Sequence, residues 1–110
     1  YDGAHMLMSL VDPPTAFVFA SSELAFGGMR YFAQNRIRIP DEISFVCLGD
    51  LANRDLLYIQ PTLSSVNLHG MGERMAELLL ERIRSTEPIP NREVRFSSMI
   101  LNGNSIKSLI

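Results

Sequence analysis

Two short apolar runs dominate the first half of the chain, at residues 16–20 and 43–48. Each is continuously hydrophobic, rich in aromatic or β-branched residues, and preceded by a proline-containing turn. Runs of this length without polar alternation are typical of strands that are buried on both faces of a parallel sheet. The pattern therefore predicts one such strand at each run.

An amphipathic helix is predicted between the two runs, over residues 22–36. Its apolar positions recur at helical spacing, at Leu24, Ala25, Met29, Phe32 and Ala33. Ser21 or Ser22 is a natural N-cap, and Glu23 suits the positive end of the helix dipole. Residues 16–48 therefore have the size and order of one βαβ unit.

This helix carries apolar residues on more than one side, because Phe26 and Tyr31 lie off the main stripe. Such a helix is expected to pack on the sheet and to touch something else as well. A subunit interface and a buried position in a larger domain both explain the pattern.

The rest of the chain continues the alternation of helices and strands. Residues 5–11 are predicted to be the end of a helix, and residues 63–66 a short extended piece. Residues 72–84 are predicted to form an amphipathic helix that Pro88 and Pro90 end. Short strands are expected at residues 94–96 and 99–101. This order predicts an α/β layer architecture built on a parallel sheet.

A ligand site is expected just beyond the carboxyl ends of the strands, where open parallel sheets bind their ligands. This rule selects Ser21 and Ser22 after the first strand, and Gly49 and Asp50 after the second. Helix capping alone also explains the serines, and a loop aspartate often bonds its own turn. Arg54 and Asp55, in the loop that follows, look like solvated charges.

Composition and charge exclude several classes of function. The 110 residues carry ten Lys and Arg against twelve Asp and Glu, a net charge of −2, which does not suit strong nucleic-acid binding by this segment alone. The single cysteine, Cys47, excludes an internal disulfide and a cysteine-based zinc site. No apolar run is long enough to cross a membrane. No catalytic motif is present, so we expect no enzyme activity, cofactor or metal.

Five blocks in order carry a family resemblance: residues 14–20, 21–30, 36–46, 61–66 and 72–83. Together they resemble the C-terminal part of the effector-binding domain of LacI/GalR-type bacterial transcription repressors. The resemblance implies a periplasmic-binding-protein-like fold of two α/β lobes with a small-molecule effector between them. It also implies a cytoplasmic homodimer that contacts operator DNA only through a helix-turn-helix headpiece, which is absent from this chain.

The resemblance further implies that the chain is a fragment of a longer protein. Residues 1–62 would belong to the C-terminal lobe. Residues 63–110 would cross the hinge and supply a helix and strands that return to the other lobe. The rival interpretation is a solute-binding protein of a transport system, which has the same fold.

Site residues follow from the matched blocks. The family usually has Ala-Asn-Asp where this chain has Ala20-Ser21-Ser22, and Gly-Phe-Asp-Asp where it has Cys47-Leu48-Gly49-Asp50. The expected effector-binding set is Ser21, Ser22, Gly49, Asp50 and His69. His69, just before a helix, would form part of the cleft wall, but capping and packing also explain it. The expected dimer-interface set is Phe26, Met29, Arg30 and Tyr58, although core packing beside Pro61 also explains Tyr58.

Overall fold

A computed structural model describes all residues, 1–110, as two compact units. The first unit consists of Tyr1–Ser65 and Met99–Ile110, and the second of Val66–Ser98. The helices of the chain are α1 (Asp2–Met8), α2 (Ser22–Gln34) and α3 (Leu68–Arg84), and a single 3-10 turn spans Arg54–Leu56. The strands are β1 (Ala16–Phe19), β2 (Ser44–Leu48), β3 (Thr62–Ser65) and β4 (Met99–Leu101).

The sheet of the first unit has four strands in the order β1-β2-β3-β4. β1 runs parallel to β2 with Phe17 opposite Phe45, and β2 runs parallel to β3 with Cys47 opposite Leu63. β4 is antiparallel to β3 and pairs Leu101 with Leu63. The predicted βαβ unit and the α/β fold class are therefore confirmed.

Along β1 and β2 one face is buried and the other is exposed or half-buried, so the prediction that these strands are buried on both faces is wrong. Phe17, Phe19 and Phe45 point to the buried face, whereas Val18, on the other face, is 68% exposed. Burial thus alternates along β1 and nearly so along β2, although neither sequence alternates between apolar and polar residues. The continuous apolar runs make both faces of β1 and β2 hydrophobic, but only one of these faces is packed within this chain.

α2 and α1 form the layer on the buried face. Phe32 of α2 is fully buried, and its ring lies 5.1 Å from that of Phe17 in an edge-to-face arrangement. Gly28 makes the close approach possible, because a Cβ there would lie 2.2 Å from Cζ of Phe19. Tyr31, which lies off the main stripe of the helix, is buried against the rings of Tyr1 and His5 in and beside α1. Part of the second side of α2 is therefore occupied by α1.

Residues 102–105, which follow β4 and which we call the clasp, are bound to the sheet by side-chain hydrogen bonds. The Ser105 hydroxyl is fully buried, donates to the Phe45 carbonyl at 2.6 Å and accepts from the Thr62 amide at 2.8 Å. Gly103 is required here, since a Cβ would lie 2.0 Å from the carbonyl oxygen of Gln60. The clasp fixes the start of β3 against β2.

The second unit is built on α3. The Asn67 side chain caps this helix by accepting from the Gly70 amide at 2.9 Å, so the helix begins four residues earlier than the periodicity predicts. No residue of α3 is buried. The strand expected at residues 94–96 is not formed, whereas the one at residues 99–101 is present as β4. No helix of the structure combines the length and the apolar character that crossing a membrane requires.

Candidate functional site

The candidate site is the edge of the sheet where β1, β2 and β3 end, and we call it the rim. Because β1 and β2 are parallel neighbours in register, the bends that follow Ala20 and Leu48 open on the same edge, as the sequence predicts. The Gly49 amide donates to the Ser64 carbonyl at 2.9 Å, which places the end of β3 beside them. The rim comprises residues 20–23, 49–50 and 64–65, and the three strands bring these short segments together.

The first segment of the rim is the start of α2. Ser21 has extended backbone, and its hydroxyl accepts from the Leu24 amide at 3.4 Å, so the capping role is realised. Ser21 and Ser22 are both half-buried. The structure therefore places two hydroxyl groups and the amino end of a thirteen-residue helix at the rim.

A carboxylate that sequence reasoning assigned only to the helix dipole joins these serines. Glu23 is exposed, and hydrogen bonds from its own backbone N–H and then from the Ser21 hydroxyl hold the pKa of its carboxyl below the ordinary value of 4.5, with a smaller contribution from Ser22. The charge of Glu23 also acts on Cys47 of β2. Burial is the main reason that the pKa of the Cys47 thiol is raised, and the negative charge of Glu23 raises it further. The clue in the sequence was an acidic residue directly after two polar ones at a strand end.

The second segment is the bend after β2. Gly49 adopts φ of +93°, a conformation that side-chain-bearing residues rarely adopt, so the family's usual aspartate does not fit this backbone without strain. Gly49 thus shapes the bend, and the next residue, Asp50, is the one that presents an exposed carboxylate at the rim.

His69 lies in the second unit, within α3 rather than just before a helix as expected. Its side chain is 87% exposed, and its Nε2 lies 3.2 Å from a carboxylate oxygen of Glu73, one turn further along the helix. The structure brings the other four predicted effector-binding residues together at the rim and holds His69 on a separate unit.

Arg54 makes structural hydrogen bonds that the sequence did not predict, and the expectation that it is a solvated charge is wrong. Its side chain is half-buried and donates from Nε to the Pro61 carbonyl at 3.0 Å and from a terminal nitrogen to the Asn102 carbonyl. Nothing in the local sequence predicts this, because Asn102 lies far along the chain. Asp55 is exposed, as expected.

Of the four residues predicted for a dimer interface, the structure brings Met29 and Tyr58 to one surface of the first unit. Met29 and Tyr58 line the same cavity of about 520 Å³, together with Ile37, Ile39 and Leu57. Tyr58 is 93% exposed and Phe26 46% exposed, while the guanidinium of Arg30 lies 5.8 Å from the ring of Tyr1. An apolar surface with an exposed aromatic residue is the kind of surface that protein partners cover.

A family profile, the periplasmic binding protein-like domain, matches residues 2–106. Among curated proteins, the HTH-type transcriptional regulator GalR of Lacticaseibacillus casei is 31% identical over 84% of this chain and 28% of its own length. The HTH-type transcriptional repressor PurR of Vibrio parahaemolyticus is 27% identical over 96% of this chain and 31% of its own length. The chain thus spans about a third or less of the length of these relatives.

Solved structures agree on the fold. A LacI family transcriptional regulator from Enterococcus faecium, with bound ribose, superposes with a TM-score of 0.86 at 23% identity, covering all of this chain and 40% of that one. A LacI family regulator from Bifidobacterium animalis gives a TM-score of 0.78 at 22% identity, over 96% of this chain and 38% of its own. At these identities the match establishes the architecture and not the ligand.

Proposed function

The chain belongs to the periplasmic binding protein-like domain family, and on that premise we propose that it is the effector-binding and dimerisation part of a bacterial transcriptional repressor. The resemblance to LacI/GalR-type regulators that the sequence predicts is confirmed by the curated relatives, which are transcription regulators. This favours a repressor over a transport protein of the same fold, and over an enzyme. The observation that carries the proposal is the convergence of three parallel strand ends on one rim.

The ligand we propose is a small polyhydroxylated molecule, of which a sugar is the leading candidate. The carboxylates of Glu23 and Asp50 accept hydrogen bonds from hydroxyl groups, and such charge-assisted bonds are stronger than neutral ones. The hydroxyls of Ser21 and Ser22 can donate or accept beside them. The related Enterococcus faecium regulator was solved with bound ribose, which agrees with this chemistry.

The proposed mechanism is a shift of population between two lobe arrangements. Residues 1–62 would form part of one lobe, and residues 63–110 would cross the hinge and contribute to the other. A ligand that binds one arrangement more tightly moves the equilibrium by its difference in affinity. The shift would reach operator DNA through a headpiece outside this chain, in the cytoplasm. His69 would then form part of the cleft wall.

The partner we propose for the apolar surface is a second copy of the same protein. Phe26, Met29, Arg30 and Tyr58 would lie in that interface, with Tyr58 as the exposed aromatic anchor beside the cavity. Aromatic anchors beside pockets are frequent hot spots of protein interfaces. A dimer also suits a protein that reads a two-fold symmetric operator.

Binding of DNA tests the class of function. We expect the full-length parent protein to bind a fragment from upstream of its own gene, and a screen of monosaccharides and nucleobases to contain a compound that changes this affinity. Fluorescence anisotropy with labelled DNA measures both. Failure to bind any specific fragment, with or without these compounds, would indicate the transport interpretation.

Binding of the small molecule tests the site. By calorimetry on the parent protein, Asp50→Asn should weaken the affinity for the active compound about tenfold or more, because a hydrogen bond to a charged group contributes about 1.5–3 kcal/mol. Ser22→Ala should weaken it about two- to tenfold, because a bond between neutral groups contributes about 0.5–1.5 kcal/mol. The matched control is Asp12→Asn, an exposed aspartate in the segment before β1, at the other end of that strand. Equal affinities for Asp50→Asn and Asp12→Asn would place the ligand elsewhere.

A further inference from the structure

Arg54 bonds to two backbone carbonyls that are distant in sequence. Its Nε donates to the carbonyl of Pro61, which is fully buried, at 3.0 Å, and a terminal nitrogen donates to the carbonyl of Asn102. A guanidinium is planar and carries five N–H donors in fixed directions, so it can serve two acceptors at once. Arg54 therefore holds two separate stretches of backbone at a fixed spacing.

Those two stretches flank the two strands through which the chain enters and leaves the second unit. The chain leaves the first unit after β3 and returns at the start of β4, and these crossing strands pair antiparallel, with Leu63 opposite Leu101. Pro61 directly precedes β3, and Asn102 directly follows β4. Arg54 thus contacts the residues that flank both crossing strands, at the end of the sheet opposite to the rim.

Arg54 itself stands in the segment that begins at the rim, residues 49–60, which we call the rim loop. The loop leaves the rim at Gly49 and Asp50, with Leu51 buried behind them. Beyond Leu51, Leu57 and Ile59 pack half-buried against the core, whereas Leu56 is 83% and Tyr58 93% exposed. Residues 52–56, around Arg54, bury no apolar side chain, so this part of the loop depends on its hydrogen bonds for its shape. The side-chain bonds of Arg54 are joined by backbone bonds within the loop, such as the Leu56 amide to the Asn53 carbonyl at 2.9 Å, and by bonds from the clasp, such as Asn104 Nδ2 to the Tyr58 carbonyl at 3.3 Å.

We propose that Arg54 is a positioning residue that ties the rim loop to both crossing strands, so that the ligand affinity of the rim depends on it. The dependence on a ligand rests on the proposed function, whereas the tie itself does not. Arg54 touches no ligand in this account, and it acts through the backbone that follows Asp50. A change at the rim and a change in the crossing strands are coupled through this one side chain.

Amide hydrogen exchange of the 110-residue chain tests the tie without any ligand. In Arg54→Gln, the hydrogen-bonded loop amides of Leu56 and Leu57 and the strand amides of Leu63 and Leu101 should exchange at least roughly tenfold faster, while the amides of β1 and α2 stay within about twofold. Arg54→Lys should give an intermediate change, because an ammonium cannot span both carbonyls as the fork does. The matched control is Arg38→Gln, which removes the same charge from an exposed pair with Glu42.

The outcomes separate the tie from general destabilisation and from the proposed function. An unchanged rim loop in Arg54→Gln, or a uniform increase over the whole first unit, would overturn the proposal, and Arg54→Lys decides it if the glutamine variant does not fold. Calorimetry of the parent protein with D-ribose and D-galactose as probes adds the second arm. A protein that binds neither sugar would weaken the proposed ligand class alone. Binding that is equal in Arg54→Lys, Arg54→Gln and wild type would overturn the positioning role.

Discussion

α2 and α3 are both amphipathic helices, yet the structure uses their apolar faces differently. Ala25, Gly28, Tyr31 and Phe32 of α2 are buried, whereas no residue of α3 is. Every buried hydrophobic residue of the chain belongs to the first unit. The contrast teaches that periodicity predicts a helix and its apolar face, but does not predict whether that face is covered within the same chain.

Different forces act in the two regions. In the first unit, aromatic rings interlock between α2 and the sheet, and Phe19 and Phe45 meet edge-to-face at 5.5 Å. In the second unit, the side-chain contacts are exposed ion pairs and hydrogen bonds; the ion pairs include Arg74 with Glu77 at 2.8 Å and Arg92 with Glu81 at 2.8 Å. Exposed pairs of this kind contribute about 0–1 kcal/mol each. The first unit should therefore dominate the stability of the chain.

The largest expected effect comes from emptying the core of the first unit. Phe32→Ala should lower the free energy of unfolding by about 3–5 kcal/mol, because it removes a fully buried ring and leaves a cavity. Leu79→Ala in α3, where the side chain is 59% exposed, should cost less than about 1 kcal/mol. Urea denaturation followed by circular dichroism measures both. Equal losses would remove the contrast between the units.

A smaller effect is expected from the clasp. Ser105→Ala leaves the Thr62 amide and the Phe45 carbonyl without a partner in a buried setting, which should cost about 2–3 kcal/mol. Ser85→Ala is the control, because that hydroxyl bonds Glu87 on an exposed part of the second unit. The same denaturation midpoint for both variants would show that the buried serine is not stabilising.

Two helical glycines give opposite signs in the same experiment. Gly28→Ala should destabilise by about 1–3 kcal/mol, because the new Cβ would overlap the Phe19 ring. Gly72→Ala should stabilise by about 0.5–1 kcal/mol, since nothing lies within 4 Å of that position in α3 and alanine is the better helix former. A melting curve of each variant against wild type decides. Stabilisation by Gly28→Ala would mean that α2 does not pack on β1 as described.

The first unit also shows how much of the structure the sequence could predict. The βαβ unit was predicted almost to the residue, because a continuous apolar run, a serine cap and helical spacing are all local patterns. The parallel order then placed Ser21, Ser22, Gly49 and Asp50 on one edge by topology alone. Local patterns and one general rule were sufficient for that much of the fold and the site.

The remaining features depend on contacts between distant parts of the chain. Ser105 bonds Phe45 across 60 positions, and Arg54 reaches Asn102 across 48. No local pattern distinguishes these side chains from solvated ones. The strand predicted at residues 94–96 failed for the related reason that an apolar alternation without a neighbouring strand has nothing to pair with. The dimer and effector residues stay predictions.

The smallest expected effect concerns pH and an exposed pair of the first unit. Hydrogen bonds from the Arg38 side chain, and then from the Arg38 amide, hold the pKa of Glu42 below 4.5. A carboxyl with a lowered folded pKa stabilises the fold above about pH 4.5, and this contribution is lost as the pH falls through the folded value. The Tm of Glu42→Gln should thus lie slightly below wild type at neutral pH and converge with it in acid. A difference that grows toward low pH would contradict the assignment.

Amide hydrogen exchange of the unmodified chain tests most directly whether a packed parallel sheet holds the rim. We predict that the amides of Phe17, Phe19, Phe45 and Cys47 and those of the buried face of α2 are the slowest and exchange together. The amides of α3 should exchange roughly a hundredfold faster, since no side chain of that helix is buried. Equal protection of α3 and the β1–β2 pair, or fast exchange throughout β1 and β2, would contradict the account.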